Sequence, residues 1–322
     1  MELILNEPSA DTGHTGPGTH LLQQNPQSDP GLAQVVDAIA ETTKAISDRL
    51  RCFGLNQLRG TVGRANVHGE AVTCMDDYAH RAIVTACRAC PFVAMIVSEE
   101  AEKAMAFPGM RDRRSYEVFV DPLDGSSNVD VCVPVATIFS IYESPRGATG
   151  RSQVAAGYAL YGSSTQLVYT AGEGVHAFTL DPQTGGYRIY ASDIRMPNFG
   201  GIYSVNQAYA NRFPPAYRAY LDRLAEGLDG RPFSLRYVGS LVSDFHRTLW
   251  KGGVFLYPGE KLRLAYEANP LAWIAEAAGG VATDGARPIL DVESTGIHQR
   301  TPFLFGSVEE MTALEAMIGR YR

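Results

Sequence analysis

The chain has 322 residues, of which 45% are hydrophobic and 20% charged, and a formal net charge of -7 at pH 7. That length buries a full core in one large α/β domain or two smaller ones, and the composition is that of a soluble globular protein. The acidic balance excludes long-range attraction to nucleic acid or an anionic membrane surface, and no apolar run approaches the ~20 residues that span a bilayer.

Met1 to about Ser28 is rich in Gly, Pro, Asn, Gln, Ser and Thr without sustained periodicity, and it reads as a flexible tail, residues 1–28. It carries no basic stretch followed by an apolar run and a small-residue cleavage site, so a cytoplasmic location is expected. A helix is predicted from Asp29-Pro30, with Asp as N-cap and Pro at the first position. Leu32, Val35, Val36, Ile39, Thr43 and Ile46 then recur at three- and four-residue spacing and form one apolar face. A second helix is predicted over Asp76 to Cys90. It contains Cys87-Arg88-Ala89-Cys90, whose CxxC spacing has no second pair to complete a zinc site. Buried structural thiols fit that run better, and an odd total of 5 cysteines fits a reducing compartment.

Short apolar runs follow at Val93–Val97, Val118–Val120, Thr137–Ile141, Val154–Leu160 and Gln166–Tyr169, with the length and β-branched or aromatic content of strands. Beyond about Pro197 helices are predicted at Pro215 to Leu228, Ser240 to Lys251 and Asn269 to Ala278, and strands at Ile202–Val205 and Val254–Tyr257. The outline is α/β, with a soft boundary near residue 198 that separates residues 29–197 from residues 198–322.

The chemistry gathers around Asp121-Pro122-Leu123-Asp124-Gly125-Ser126-Ser127, just beyond a strand. Pro122 fixes φ and Gly125 permits an unusual backbone conformation, so the turn is tight and two carboxylates can converge on one cation. Backbone amides and hydroxyls after Gly125 suit a phosphate. Taken alone, such a turn reads more readily as an Asx-type turn capping a helix. The acids around it change that balance. Glu99 and Glu100 follow another strand, Glu70 and Asp76 flank a short segment before the second helix, and Glu267 ends the run Lys261–Tyr266. Acids gathered at strand ends of an α/β layer occupy the usual position of a ligand site.

Asp121–Ser127 with Asn128-Val129-Asp130 and Thr137–Tyr142 resembles class I fructose-1,6-bisphosphatase. The resemblance continues in Tyr161–Ser164, Gly174–Pro182, Arg236–Ser240, His246–Leu249 and Lys261–Glu267 followed by Asn269-Pro270, in family order from about residue 31 to the end. It implies the layered αβαβα sugar-phosphatase fold of the inositol-phosphatase type. It further implies hydrolysis of the 1-phosphate of fructose 1,6-bisphosphate by metal-activated water.

The ligands it implies for two or three Mg2+ ions per subunit, with Mn2+ as an alternative, are Glu99, Asp121, the Leu123 carbonyl, Asp124, Glu267 and Glu70. Glu70 stands where the family usually has Asp. Asp76 and Glu100 would orient and deprotonate the attacking water. Asp124, Gly125, Ser126 and Ser127 would receive the 1-phosphate. Asn206, Tyr209, Arg236, Tyr237, Tyr257 and Lys261 would hold the other phosphate and the sugar, with Arg263 balancing the acids. Arg236 is expected to reach a neighbouring subunit's site, which implies a homo-oligomer, a tetramer by resemblance.

Some residues depart from the family. Gln207 replaces an acid after Asn206, and Thr73-Cys74 replaces a basic pair. At the family's AMP phosphate site the chain has Asp29-Pro30-Gly31-Leu32-Ala33, Ser115 before Tyr116, and Glu143 in place of Arg, so AMP inhibition is expected to be weak or absent. The alternatives are activity on sedoheptulose 1,7-bisphosphate and, from another class, a catalytically silent regulatory protein. Gluconeogenesis and a carbon-fixation cycle would use the same chemistry.

Overall fold

A computed structural model of the chain describes residues 16–55, 60–65, 69, 71–107 and 114–321. Helix α1 (Pro17–Gln24) precedes the long helix α2 (Pro30–Arg51), and the hairpin β1 (Thr61–Ala65) and β2 (Ala71–Thr73) leads into α3 (Cys74–Ala89). Asp29 caps α2 by accepting from the Gly31 amide at 3.2 Å, and Pro30 needs no partner for the amide it lacks. At the start of α3, Thr73 and Asp76 form a reciprocal capping box.

Eight strands form the larger sheet: β3 (Val93–Ser98), β4 (Met105–Ala106), β5 (Tyr116–Asp124), β6 (Val135–Glu143), β7 (Gln153–Tyr161), β8 (Thr165–Thr170), β9 (Val175–Leu180) and β10 (Tyr187–Ala191). Their order is β10-β9-β8-β7-β6-β5-β3-β4, and only the β3–β5 pair is parallel. A five-stranded sheet follows, built from β11 (Ile202–Ser204), β12 (Ser234–Leu235), β13 (Val254–Arg263), β14 (Val281–Thr283) and β15 (Arg300–Gly306), in the order β12-β11-β13-β15-β14. The remaining helices are α4 (Pro215–Glu226), α5 (Leu241–Lys251), α6 (Asn269–Ala277) and α7 (Val308–Arg320).

Period-2 alternation sorts these elements into five layers. On β6, Val135, Phe139 and Ile141 pack with α1, α2 and α3, whereas Ala136 and Ile138 face α5 and α6. On β13, Phe255 faces the same α5–α6 layer, while Val254 and Leu256 pack under α4 and α7. The result is α/β/α/β/α, the expected layering. In the middle layer Phe245 of α5 is fully buried and stacks on Phe305 with ring centroids 4.4 Å apart. Truncation of such a ring to Ala costs about 3–5 kcal/mol. Among the described residues, no helix is long and apolar enough to cross a membrane.

The elements predicted from periodicity are present with ends shifted by a few residues. The tail expectation needs correction. Residues 17–24 form a helix, with His20 and Leu21 buried. Gly18 sits so close to α2 that a Cβ there would lie 2.3 Å from the Ala33 carbonyl, and its amide donates to Asp37 at 2.7 Å. His20 Nδ1 lies 2.8 Å from the Tyr169 hydroxyl. Docking of this helix combines the burial of Leu21 with the missing side chain of Gly18 and polar contacts to Asp37 and Tyr169, so little of it is apolar and its composition resembles a tail. Cys87 and Cys90 are buried at the end of α3, and burial pushes the Cys87 thiol up to about 12. Both sulfurs therefore stay protonated and unreactive.

Candidate active site

Asp121 and Asp124 lie inside β5 rather than beyond it, and a bulge makes them converge. Their partners on β6, Ile138 and Ala136, are two residues apart, whereas the aspartates are three apart. One extra residue on β5 breaks the in–out alternation that would otherwise put the two carboxylates on opposite faces. Asp121 also accepts from the Leu123 amide at 3.0 Å, and Thr137 holds the Pro122 carbonyl at 2.8 Å, which fixes the bulge. Gly125 follows with φ 75°, and a short 3-10 turn begins at Ser126.

The other acids reach this point from neighbouring elements. The parallel β3–β5 pairing extends one step past Ser98, where the Glu99 amide donates to the Val120 carbonyl at 3.1 Å, so Glu99 stands beside Asp121. Glu267 lies on a single π-turn, Leu264–Ala268, between β13 and α6. That turn is held over β6 by Ser140, which donates to the Ala265 carbonyl at 2.9 Å. Such wide turns are frequent at functional sites, because they project a side chain that a regular helix would turn away. Asp124 also accepts from the Val242 amide at 3.4 Å, at the N-terminus of α5.

Carboxylate oxygens of Asp121, Asp124 and Glu267 all lie within 4.8 Å of one another. The buried cation among them is Arg263, 3% exposed, which reaches Glu99 at 2.9 Å and Glu267 at 4.0 Å and donates its amide to Glu267. One guanidinium cannot neutralise four crowded acids. Burial, then the charges of Glu99, Asp124 and Glu267, push the Asp121 carboxyl well above its usual range. Glu267 moves the same way through burial and Glu99. Asp124 rises to about 7, mainly by burial, with the Val242 amide opposing. Acids that resist ionisation as a group, with oxygen-only donors, fit a hard divalent cation.

These residues floor a cleft of about 500 Å3 that is also lined by Thr73, Asp76, Glu100, Leu123, Gly125, Ser126, Ser127, Tyr237, Tyr257 and Lys261. Most of the predicted site residues therefore meet in one place. Asp76 reaches the cleft while one of its oxygens closes the α3 capping box on the Thr73 amide at 2.8 Å. Asn206 and Tyr209 are not on the floor and belong to the rim, where Asn206 lies near Tyr237 and Tyr209 near both Tyr237 and Tyr257. Arg236 does not line this cleft; it is exposed and donates to its neighbour's carbonyl, Leu235 O, at 3.1 Å. Glu70 lies outside the described residues.

Gly239, Ser240 and Asp244 are among the lining residues that sequence reasoning leaves without a role. Gly239 and Ser240 belong to the block Arg236–Ser240 that carries the resemblance, and Asp244 reads as an ordinary acid in the first turn of α5.

Residues 19–192 match the family model described as the N-terminal domain of fructose-1-6-bisphosphatase, and residues 196–319 match the one described as its C-terminal domain. A crystal structure of fructose-1,6-bisphosphatase from Leishmania major in holo form is similar to this chain at 35% sequence identity. The similarity has a TM-score of 0.89 and covers 96% of this chain and 99% of that one.

Proposed function

This chain belongs to the fructose-1,6-bisphosphatase family, and from that premise we propose that it hydrolyses the 1-phosphate of fructose 1,6-bisphosphate with Mg2+ held by Glu99, Asp121, Asp124, Glu267 and the Leu123 carbonyl. The observation that carries this reading is the crowded acid floor, Asp121, Asp124 and Glu267 within 4.8 Å, in the same cleft as Lys261, Tyr237 and Tyr257. One end of the cleft suits cations and a transferring phosphoryl group. The other offers an ammonium and two hydroxyls to a phosphate that stays.

When bound, Mg2+ supplies a Lewis acid that draws charge from the phosphoryl oxygens and makes water a better nucleophile. The chain's own part is positioning and proton transfer. Asp76 and Glu100 orient the water and take its proton. The backbone from Gly125 to Ser127 receives the 1-phosphate. The bond from phosphorus to the sugar's O1 breaks as the water oxygen adds, and the proton taken from the water is passed on to O1 as it leaves. Lys261, Tyr237 and Tyr257, with Asn206 and Tyr209 at the rim, fix the sugar and its second phosphate. Arg263 holds Glu99 and Glu267 in place. Glu70 keeps its place as a further metal ligand in this reading, and Arg236 its reach into a neighbouring subunit, in a homo-oligomer of tetrameric form. The division at residues 197 and 198 is kept as well, supported by two family models that meet between residues 192 and 196.

AMP is a weak or absent inhibitor in this reading. Asp29 puts a carboxylate at the N-terminus of α2 and accepts from Gly31 and, at 2.5 Å, from the Tyr116 hydroxyl. Glu143 adds a second acid and is paired with Arg114 at 3.4 Å. A phosphate arriving there would meet negative charge and donors already engaged. Sedoheptulose 1,7-bisphosphate fits as a second substrate, since Gln207 turns onto the Tyr203 hydroxyl at 3.2 Å and Tyr209 is 44% exposed, which leaves the rim open to a longer sugar. The ratio of kcat/KM for the two sugars measures this.

The deciding experiment is phosphate release from fructose 1,6-bisphosphate with and without Mg2+. Turnover in the absence of divalent metal would overturn the mechanism. Inhibition by micromolar AMP would overturn the account of α2.

A further inference from the structure

Asp244 is fully buried in the first turn of α5, yet it caps nothing in its own helix. Its carboxylate accepts from four groups on other segments or later turns. The Val238 amide donates to both oxygens at 3.0 and 3.1 Å, and the Gly239 amide donates to Oδ2 at 3.0 Å. The Ser204 hydroxyl at the end of β11 donates at 2.9 Å, and Arg247 at 2.6 Å. Arg247 also donates to the Arg236 carbonyl, so the pair holds the segment at residues 236, 238 and 239. Gly239, with φ 82°, allows the two successive amides to turn inward toward one carboxylate.

That segment bridges the two ends of the cleft. Tyr237 forms part of the wall, and the Gly239 carbonyl accepts from Asn128 at 3.2 Å, directly after the Gly125–Ser127 turn. We infer that Asp244 is a positioning residue for substrate: through Val238, Gly239 and Arg247 it sets the wall that holds the sugar's second phosphate against the turn that receives the first.

The physical basis is the cost of the alternative. With Asn at this position, one oxygen becomes an amide that would face donors, either Ser204 and Arg247 or the two backbone amides, so the segment must shift to relieve the clash. Hydrogen bonds to a charged acceptor are about twice as strong as neutral ones, and their loss is enough to move the wall and weaken substrate binding by about tenfold. The acid floor is untouched, so the chemical step should survive.

This inference rests on the proposed reading of the cleft, and the test separates the two. Asp244→Asn is expected to raise KM for fructose 1,6-bisphosphate about tenfold, with kcat within about threefold of wild type. Fructose 6-phosphate, titrated by calorimetry, should lose affinity by a similar factor, and that measurement needs no turnover. Arg247→Met, whose target is 23% exposed and tolerant, should show the same split at about threefold. It decides the matter if Asp244→Asn fails to fold. A purely structural role would lower the melting temperature and the active fraction while leaving KM and calorimetric affinity unchanged, and that result in a folded variant overturns the inference. An inactive wild type that binds fructose 6-phosphate, and loses it in Asp244→Asn, would overturn the proposed reaction and leave the positioning role standing.

Discussion

The β5–β6 pair carries acids at both of its ends, and the fold treats the two ends in opposite ways. At one end Asp121 and Asp124 crowd against Glu99 and Glu267, with Arg263 as the buried cation among them. At the other end Tyr116 and Glu143 are directly paired across the strands, Tyr116 donates to Asp29, and Glu143 meets Arg114. The first end is left with more carboxylates than cations, and either protons or a bound cation must settle the difference. The second has assigned a donor to each carboxylate. The number of acids therefore does not distinguish a site from a cap, but the balance of charge and donors does.

The sharpest way to break this comparison is to remove one acid from each end. Asp121→Ala should reduce turnover by on the order of 10^3-fold, the scale seen when a preorganised electrostatic partner is lost. The same change should leave the melting temperature of the metal-free protein unchanged or higher, because it relieves repulsion among buried like charges. Loss of stability together with loss of activity would mean that the acid floor holds the fold together, and the contrast between the two ends would fail.

A metal-free pH series tests the same contrast with a smaller effect. Asp124 is held at about 7, above its ordinary 3.8, by burial first and by Glu99 next. The folded protein therefore keeps a proton that the unfolded chain releases. That contribution to stability is complete below about pH 4 and is lost as pH rises through about 7. The melting temperature of chelated protein should fall between pH 5 and pH 8, and Asp124→Asn should flatten the fall. Saturating Mg2+ should reverse it, since a ligand at 100 times its Kd adds about 2.7 kcal/mol to the folded state. A metal-free protein most stable at high pH would refute the picture of frustrated acids.

These differences also explain what could be read from the sequence. Asp121 and Asp124 were legible because a short, stiff turn encodes its own geometry, and Glu99 because it ends an obvious strand. The bulge itself was not, since it exists only in the register of β5 against β6. Helix α1 escaped because its docking rests on Gly18 and on His20 meeting Tyr169, 149 residues away. Asp244 looks like an ordinary acid of a helix first turn, and its partner Ser204 is 40 residues distant. Long-range partners of single polar groups leave no period in the chain, whereas an apolar face repeats itself every three or four residues.

The smallest effect is expected at the settled end. Asp29 does two local jobs, as N-cap of α2 and as acceptor for Tyr116, and neither involves the cleft. Asp29→Ala should cost about 1 kcal/mol by denaturant unfolding, the usual value of an N-cap, with kcat/KM within about twofold of wild type. Tyr116→Phe should cost a similar amount, and the double variant less than the sum, because the two groups share one hydrogen bond. Removal of Asp29 also takes a negative charge from the helix N-terminus, where the backbone dipole favours anions. If the carboxylate is what excludes phosphate, Asp29→Ala should begin to bind AMP weakly by calorimetry, with Glu143 still opposing it. A variant that binds no AMP and loses turnover instead would mean that this end of β5–β6 communicates with the catalytic end, and the two could no longer be treated as separate.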